Sequence, residues 1–165
     1  MSETSGPTRA DFVRNVVFVV LVPGVVAGVV PWLITRYEGR GVPVIVAVIA
    51  WAFILEGTAV LLYGVWHFAV EGRGTPAPVA PTERLVVSGP YLYVRNPMYL
   101  GVGAVILGQA LLFPSAAIFI YLAAFAVVVL IFVKAYEEPT LQRTFGDEYT
   151  EYRAIVPAWF PRRPR

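Results

Sequence analysis

The chain contains no cysteine and a single histidine, His67. Disulfides, thiolate metal sites and cysteine nucleophiles are therefore excluded, and so is a metal cluster built on histidines. A carboxylate-only metal site finds no supporting spacing. No serine elbow, phosphate-cradling loop or Rossmann glycine fingerprint occurs. Internal repeats and low-complexity tracts are also absent. Charge is scarce: Asp, Glu, Lys and Arg make up 15% of the 165 residues, against 58% hydrophobic. Such a balance is too apolar for an ordinary soluble domain.

The apolar residues gather into long runs, and a membrane-crossing helix needs ~20 residues. The runs cover about 14–35, 42–68, 97–112 and 115–136. The last two are parted by a turn at Phe113-Pro114-Ser115, with Pro114 suited to the first turn of the following helix. The expected fold is all-α, one domain over 1–165, with about four transmembrane helices and a C-terminal amphipathic cytoplasmic helix. The first run lacks a small-residue cleavage site and reads as a retained helix. Lys and Arg are lopsided about these runs: Arg36 and Arg40 lie on one side and the other eleven on the opposite side. The positive-inside rule then puts both termini and the 71–96 loop in the cytoplasm.

One stretch is unlike a plain membrane loop: "GPYLYVRNPMYLG", residues 89–101. Asn96 followed by Pro97 predicts a helix start, since Asn is a favoured cap and Pro a favoured first residue. A helix start offers first-turn N–H groups and partial positive charge to an anion, and Arg95 adds a full charge beside it. Tyr91, Tyr93 and Tyr99 supply flat faces with polar tips. Tyr and Arg are also ordinary interfacial anchors of membrane helices, which is the plainer reading.

The fourth run ends "VKAYEEPTLQ", with Glu137 and Glu138 adjacent. Two acids at a helix C-terminus oppose the dipole, which points to a cationic ligand; alternatively they simply open the next helix at Pro139. Runs three and four, joined by a tight turn, are antiparallel neighbours. Sixteen residues of the third extend about 24 Å and twenty-two of the fourth about 33 Å, so both unusual ends meet on one side. Glu137 should rise to the level of the Tyr91–Asn96 loop. The resulting cleft suits a small ligand carrying both charges and a flat ring. Beyond Pro139, Leu141, Phe145, Tyr149, Tyr152 and Ile155 recur at helical spacing and predict an amphipathic helix covering the cleft or anchoring to the surface.

These motifs in this order, "GPYLYVRNPMYLG" and then "YEEPTLQRTFGDEYTEYRAIVPAWFPR", resemble the membrane methyltransferases that include isoprenylcysteine carboxyl methyltransferase and phospholipid methyltransferases. The leader "GRGTPAPVAPTERLVVSGPY" is similar to that of their bacterial members, which implies a bacterial inner or plasma membrane. The resemblance covers about residues 72–162, and its implied cofactor is S-adenosylmethionine, bound from the cytoplasm while a lipophilic acceptor enters from the bilayer. By position it implies cofactor contacts from Leu85, Val86, Tyr91, Arg95, Asn96, Pro97, Met98, Tyr99, Glu137 and Glu138. Asn96 stands where the carboxyl-methylating branch has His. The Asn-Pro-Met-Tyr and Tyr-Glu-Glu-Pro forms look more like the phospholipid branch.

Methyl transfer from a sulfonium depends chiefly on proximity and alignment. An amine acceptor must also lose a proton, for which Glu138 and the tyrosines are candidates, none distinctive. Lys134 either contacts an anionic head group or snorkels. Glu56, in the middle of the second run, either positions the acceptor or is protonated and bonded to Thr58 or another helix. His67, near the cytoplasmic end of the second run, either faces the cleft or is an interfacial histidine beside Trp66. Gly101 and Gly103 read as helix-packing positions. Expected partners are a lipophilic substrate and membrane lipids, with no nucleic acid. Two other classes remain at this stage: a membrane reductase of the steroid-reductase type using a nicotinamide cofactor, and a non-catalytic lipid-binding subunit.

Overall fold

The computed structural model describes residues 21–39, 41–71 and 84–163. The start of the first expected span and the 72–83 leader lie outside them. Among the described residues the protein is all-helical, with no strand. Helix α1 is Leu21–Thr35. Helix α2 is Val44–Glu71, and a 3-10 turn at Gly89–Leu92 follows. Then come α3, Pro97–Leu112, α4, Ala116–Phe132, and α5, Glu138–Ile155. Two π-turns lie within this order, Val25–Val29 inside α1 and Val133–Glu137 between α4 and α5.

Among the described residues, two helices are long and apolar enough to cross a membrane. They are Val44–His67, with mean hydropathy 2.4, and Ala116–Ile155, whose most apolar part reaches 3.0. The described part of α1 and the whole of α3 are apolar but shorter, so among the described residues two crossings meet the length test where the sequence led to four. The reason for α3 is plain: its 16 residues extend ~24 Å, short of a ~30 Å hydrocarbon core. On α2, Val44, Trp51, Leu55, Leu62 and Trp66 are exposed, as are Ile120, Val128 and Ile131 on α4. The core helix of a soluble protein buries such residues, so this surface calls for an apolar solvent.

α2 and α3 run antiparallel with their backbones in contact. Ala50, Gly57 and Gly64 recur every seven residues on α2 and meet Gly108, Gly101 and Met98 of α3 in turn. A Cβ added to Gly57 would lie 2.6 Å from the Gly101 carbonyl oxygen, and one on Gly108 would lie 2.5 Å from that of Ala50. Small residues allow this approach, which gives dispersion contact where lipid offers no hydrophobic drive. Gly103 is different: its Cβ would meet Phe125 at an ordinary 3.6 Å, so close packing requires glycine at 101 and not at 103.

Each π-turn stands directly before a proline. Val30 N–H bonds Val25 O and Glu138 N–H bonds Val133 O, one residue farther back than in an α-helix. Pro31 and Pro139 then follow without an N–H to continue the ladder. The widened turn absorbs the proline, and the helix goes on. The fourth run therefore does not end at Tyr136, and Glu137 and Glu138 are not at a C-terminus. They carry no opposition to the dipole there, because carbonyls beyond them remain in a helix. The break falls instead at Gly146, φ 53° and ψ −121°, a conformation open to glycine. The expected amphipathic helix is thus two pieces, 138–145 and 147–155, with Tyr149 buried and Ile155 exposed. Upstream, Ser115 caps α4 by accepting from Ile118 N–H, which puts Pro114 before the cap and not in the first turn.

Candidate functional site

Pro97 opens α3 and Asn96 is its cap residue, as the Asn-Pro pair predicts. The Asn96 side chain makes no capping bond, however. It is buried, and its Nδ2 donates to Ala158 O at 3.1 Å. A neighbouring buried carbonyl competes for the amide, and with Pro97 next in line one orphan donor is already missing from the helix start. Two backbone bonds run alongside: Arg95 N–H to Pro157 O at 2.9 Å and Arg162 N–H to Tyr93 O at 3.0 Å. Residues 157–162 are thereby strapped across the loop that leads into α3.

The charged side chains come from both sides of this strap. Arg95 Nη1 forms a 2.8 Å ion pair with Glu138 Oε1 and donates to Tyr149 Oη at 2.9 Å. Its Nε is buried with no hydrogen-bond partner among the described residues. Tyr99 Oη donates to Glu137 Oε2 at 2.8 Å. Tyr152 Oη donates to Tyr91 O at 2.8 Å. The 3-10 turn that holds Tyr91 needs glycine at 89, where φ is +55° and a Cβ would lie 2.5 Å from the His67 ring. His67 Nδ1 sits 2.9 Å from Ser88 Oγ, so this histidine supports the turn.

Two adjoining cavities result. The larger, about 530 Å³ with its open mouth, is lined by Leu85, Val86 and Glu138, by Val133 of the π-turn, and by Leu141, Tyr149 and Tyr152 of α5. The smaller, about 340 Å³ counted the same way, is closed by Pro97, Met98 and Tyr99. Tyr91, Arg95, Asn96 and Glu137 line both. All ten positions singled out for the cofactor are thus brought together. Glu56 and Lys134 are not: both are exposed, on α2 and on the outer side of the π-turn. The Thr58 hydroxyl, named as a partner for Glu56, donates to Ile54 O instead. Val133 and the Arg95–Glu138 pair had no sequence signal. Tyr149 and Tyr152 had one, the apolar stripe of α5.

With both acids ionised the walls carry one guanidinium and two carboxylates, a net charge of −1. Burial raises the Glu137 carboxyl above its ordinary value; the Tyr99 hydrogen bond lowers it and the Glu138 charge raises it further. Burial is also the leading cause that raises the phenols of Tyr91, Tyr149 and Tyr152, so they stay neutral at physiological pH. The arrangement is an aromatic, anionic cleft at the polar end of a membrane-type helix bundle.

A comparison with protein families matches residues 44–148 to phospholipid methyltransferase, well over half of the chain. The chain belongs to the phospholipid methyltransferase family. The matched span runs from α2 into the second piece of α5 and contains all ten positions singled out for the cofactor, while Tyr149 and Tyr152 lie just beyond it. Neither curated proteins nor solved structures give a match. Membership in the family implies methyltransferase activity and, with the exposed apolar helices, membrane association.

Proposed function

We propose that this protein is an integral membrane methyltransferase that moves a methyl group from S-adenosylmethionine to a lipophilic acceptor, a phospholipid amine in the first instance. The single observation that carries the reading is the cleft: a family-matched cavity whose walls hold Arg95, Glu137 and Glu138 among tyrosine rings. The cofactor fits that set by charge. Its carboxylate, ammonium and sulfonium sum to +1, against −1 on the walls. The Arg95 guanidinium, which lines both cavities, is a donor for the carboxylate, and the two glutamates suit the cations. Tyr91, Tyr149 and Tyr152 offer faces to the adenine. When bound, the cofactor supplies an electrophilic methyl carbon, and the chain's own work is to hold it dry and in line with the acceptor.

The bundle sits in the membrane with four crossings, α3 short for the hydrocarbon core, and with the cleft and both termini on the cytoplasmic side. The excess of Lys and Arg on that side supports the orientation. A nicotinamide cofactor is disfavoured because Arg95 is the lone basic residue lining the two cavities among the described residues, too little for a dinucleotide's phosphates. The test is incubation of purified protein with radiolabelled S-adenosylmethionine and total membrane lipid. Label in an extractable lipid is expected; the absence of both transfer and cofactor binding would overturn the reading in favour of a non-catalytic lipid-binding subunit.

A further inference from the structure

The clasp between the strap at 157–162 and the loop before α3 has an outer surface that the cleft does not use. Three hydrogen bonds close it from within: Arg95 N–H to Pro157 O, Asn96 Nδ2 to Ala158 O and Arg162 N–H to Tyr93 O. Between them Phe160 stands 85% exposed, the most open large apolar side chain among the described residues. Leu92 and Tyr93, on the loop that the strap crosses, are exposed as well.

The charge on the two clasped segments is of one sign. Residues 84–96 and 152–163 contain five arginines and no Asp or Glu. Arg95 is turned inward to Glu138. Arg84, Arg153, Arg162 and Arg163 are exposed, and among the described residues none of them is in an ion pair. The exposed carboxylates of the second piece of α5, Asp147, Glu148 and Glu151, all precede the strap. An apolar tip among unpaired cations matches a surface with negative head groups over an apolar interior. The strap crosses the residues directly before Pro97, where the chain turns into the apolar run of α3. That puts the aromatic tip at interface depth, where rings are favoured and head groups lie within reach of the arginines.

We propose that the outer face of this clasp is a docking surface for anionic lipid head groups, and that lipid held there tightens the cofactor cleft behind it. The docking goes beyond the methyltransferase reading and needs only its membrane placement; the tightening rests on that reading. Phe160 enters the interface, and Arg162 and Arg163 engage phosphate oxygens from the strap. The coupling runs through few atoms. Carbonyls of the strap hold the Arg95 N–H and the Asn96 amide, and both residues line the two cavities. A strap pinned from outside keeps Arg95 and Asn96 in place, so the cofactor binds more tightly and by linkage tightens the lipid in return.

The test uses the full chain in nanodiscs of phosphatidylcholine, alone or in equal mixture with phosphatidylglycerol. Because the chain has no cysteine, Pro161→Cys gives a single thiol on the strap for a bimane label. Brominated phosphatidylglycerol is expected to quench that label several-fold more than brominated phosphatidylcholine at the same fraction. Arg162→Gln with Arg163→Gln removes the preference. That double variant keeps all three clasping bonds, since Arg162 contributes only its backbone N–H to them. S-adenosylhomocysteine, followed by calorimetry on the unlabelled chain, is expected to bind about 5-fold more tightly in the anionic discs, a gain that the double variant loses.

No quenching by either lipid overturns the docking in favour of a soluble acidic partner. Equal quenching by both, or a preference that survives the loss of both arginines, overturns it too. Unequal quenching with equal affinities in the two discs overturns the tightening. If the labelled variant does not fold, native mass spectrometry of wild type, comparing retained phosphatidylglycerol with phosphatidylcholine, decides the docking. Wild type that binds no S-adenosylhomocysteine in either disc overturns the methyltransferase reading and the tightening with it, while quenching still decides the docking.

Discussion

The two π-turns share one construction and serve opposite ends. Each widens the helix before a proline, with an N–H reaching five residues back. In α1 the carbonyls that Pro31 leaves without a backbone donor are answered from other helices: Tyr121 Oη donates to Val26 O at 2.7 Å and Gln109 Nε2 to Ala27 O at 2.6 Å. Gln109 is itself held by Tyr37 Oη at 3.0 Å. That turn is a structural joint, closed on itself within the apolar layer. The turn before Pro139 holds Val133 and Glu137 in the cavity wall and keeps the helix running into Glu138 and the roof. The same backbone device thus locks one end and equips the other, and the side chains that meet it decide which.

Several substitutions would separate the two roles, beginning with the largest effect. Arg95→Ala leaves Glu138 a part-buried, uncompensated charge and should cost roughly 2–3 kcal/mol, with loss of S-adenosylhomocysteine binding; thermal melts and calorimetry check both. Gln109→Leu removes the donor to Ala27 O and should cost about 1–3 kcal/mol while binding stays as in wild type. An equal loss of binding in Gln109→Leu would erase the distinction between the turns. Tyr121→Phe should cost about 1 kcal/mol in the same melts, again without effect on binding.

The smallest effect is on pH dependence. Burial raises the Glu137 carboxyl in the folded state above its unfolded value. Its contribution to stability is therefore fully present below the ordinary carboxylate range and is lost as pH rises through the folded value. The melting temperature of the ligand-free protein should fall over that window, and Glu137→Gln should flatten the fall.

The helical class, the start of α3 and the meeting of residues 91–99 with 137–138 were legible in the sequence. Asn-Pro and the apolar run are local signals, and a tight turn after Leu112 fixes the antiparallel return. The unread parts depend on partners distant in sequence. Asn96 caps nothing because Ala158 claims its amide, and Glu138 pairs with an arginine more than forty residues away. Glu137 and Glu138 were placed at a helix end because proline usually stops a helix; a π-turn that absorbs Pro139 leaves no mark in hydropathy. The α2–α3 contact did leave one, the seven-residue recurrence of Ala50, Gly57 and Gly64, hidden among valines.

The turn at Val133–Glu137 also bears on how such a cleft changes over generations. An extra residue in a helix offsets the register of everything after it, and no exchange of one side chain for another can take that offset away. The chemistry of the wall is thus free to drift by single replacements at 133, 137 or 138, whereas its frame is discarded or gained in one event, by deletion or insertion.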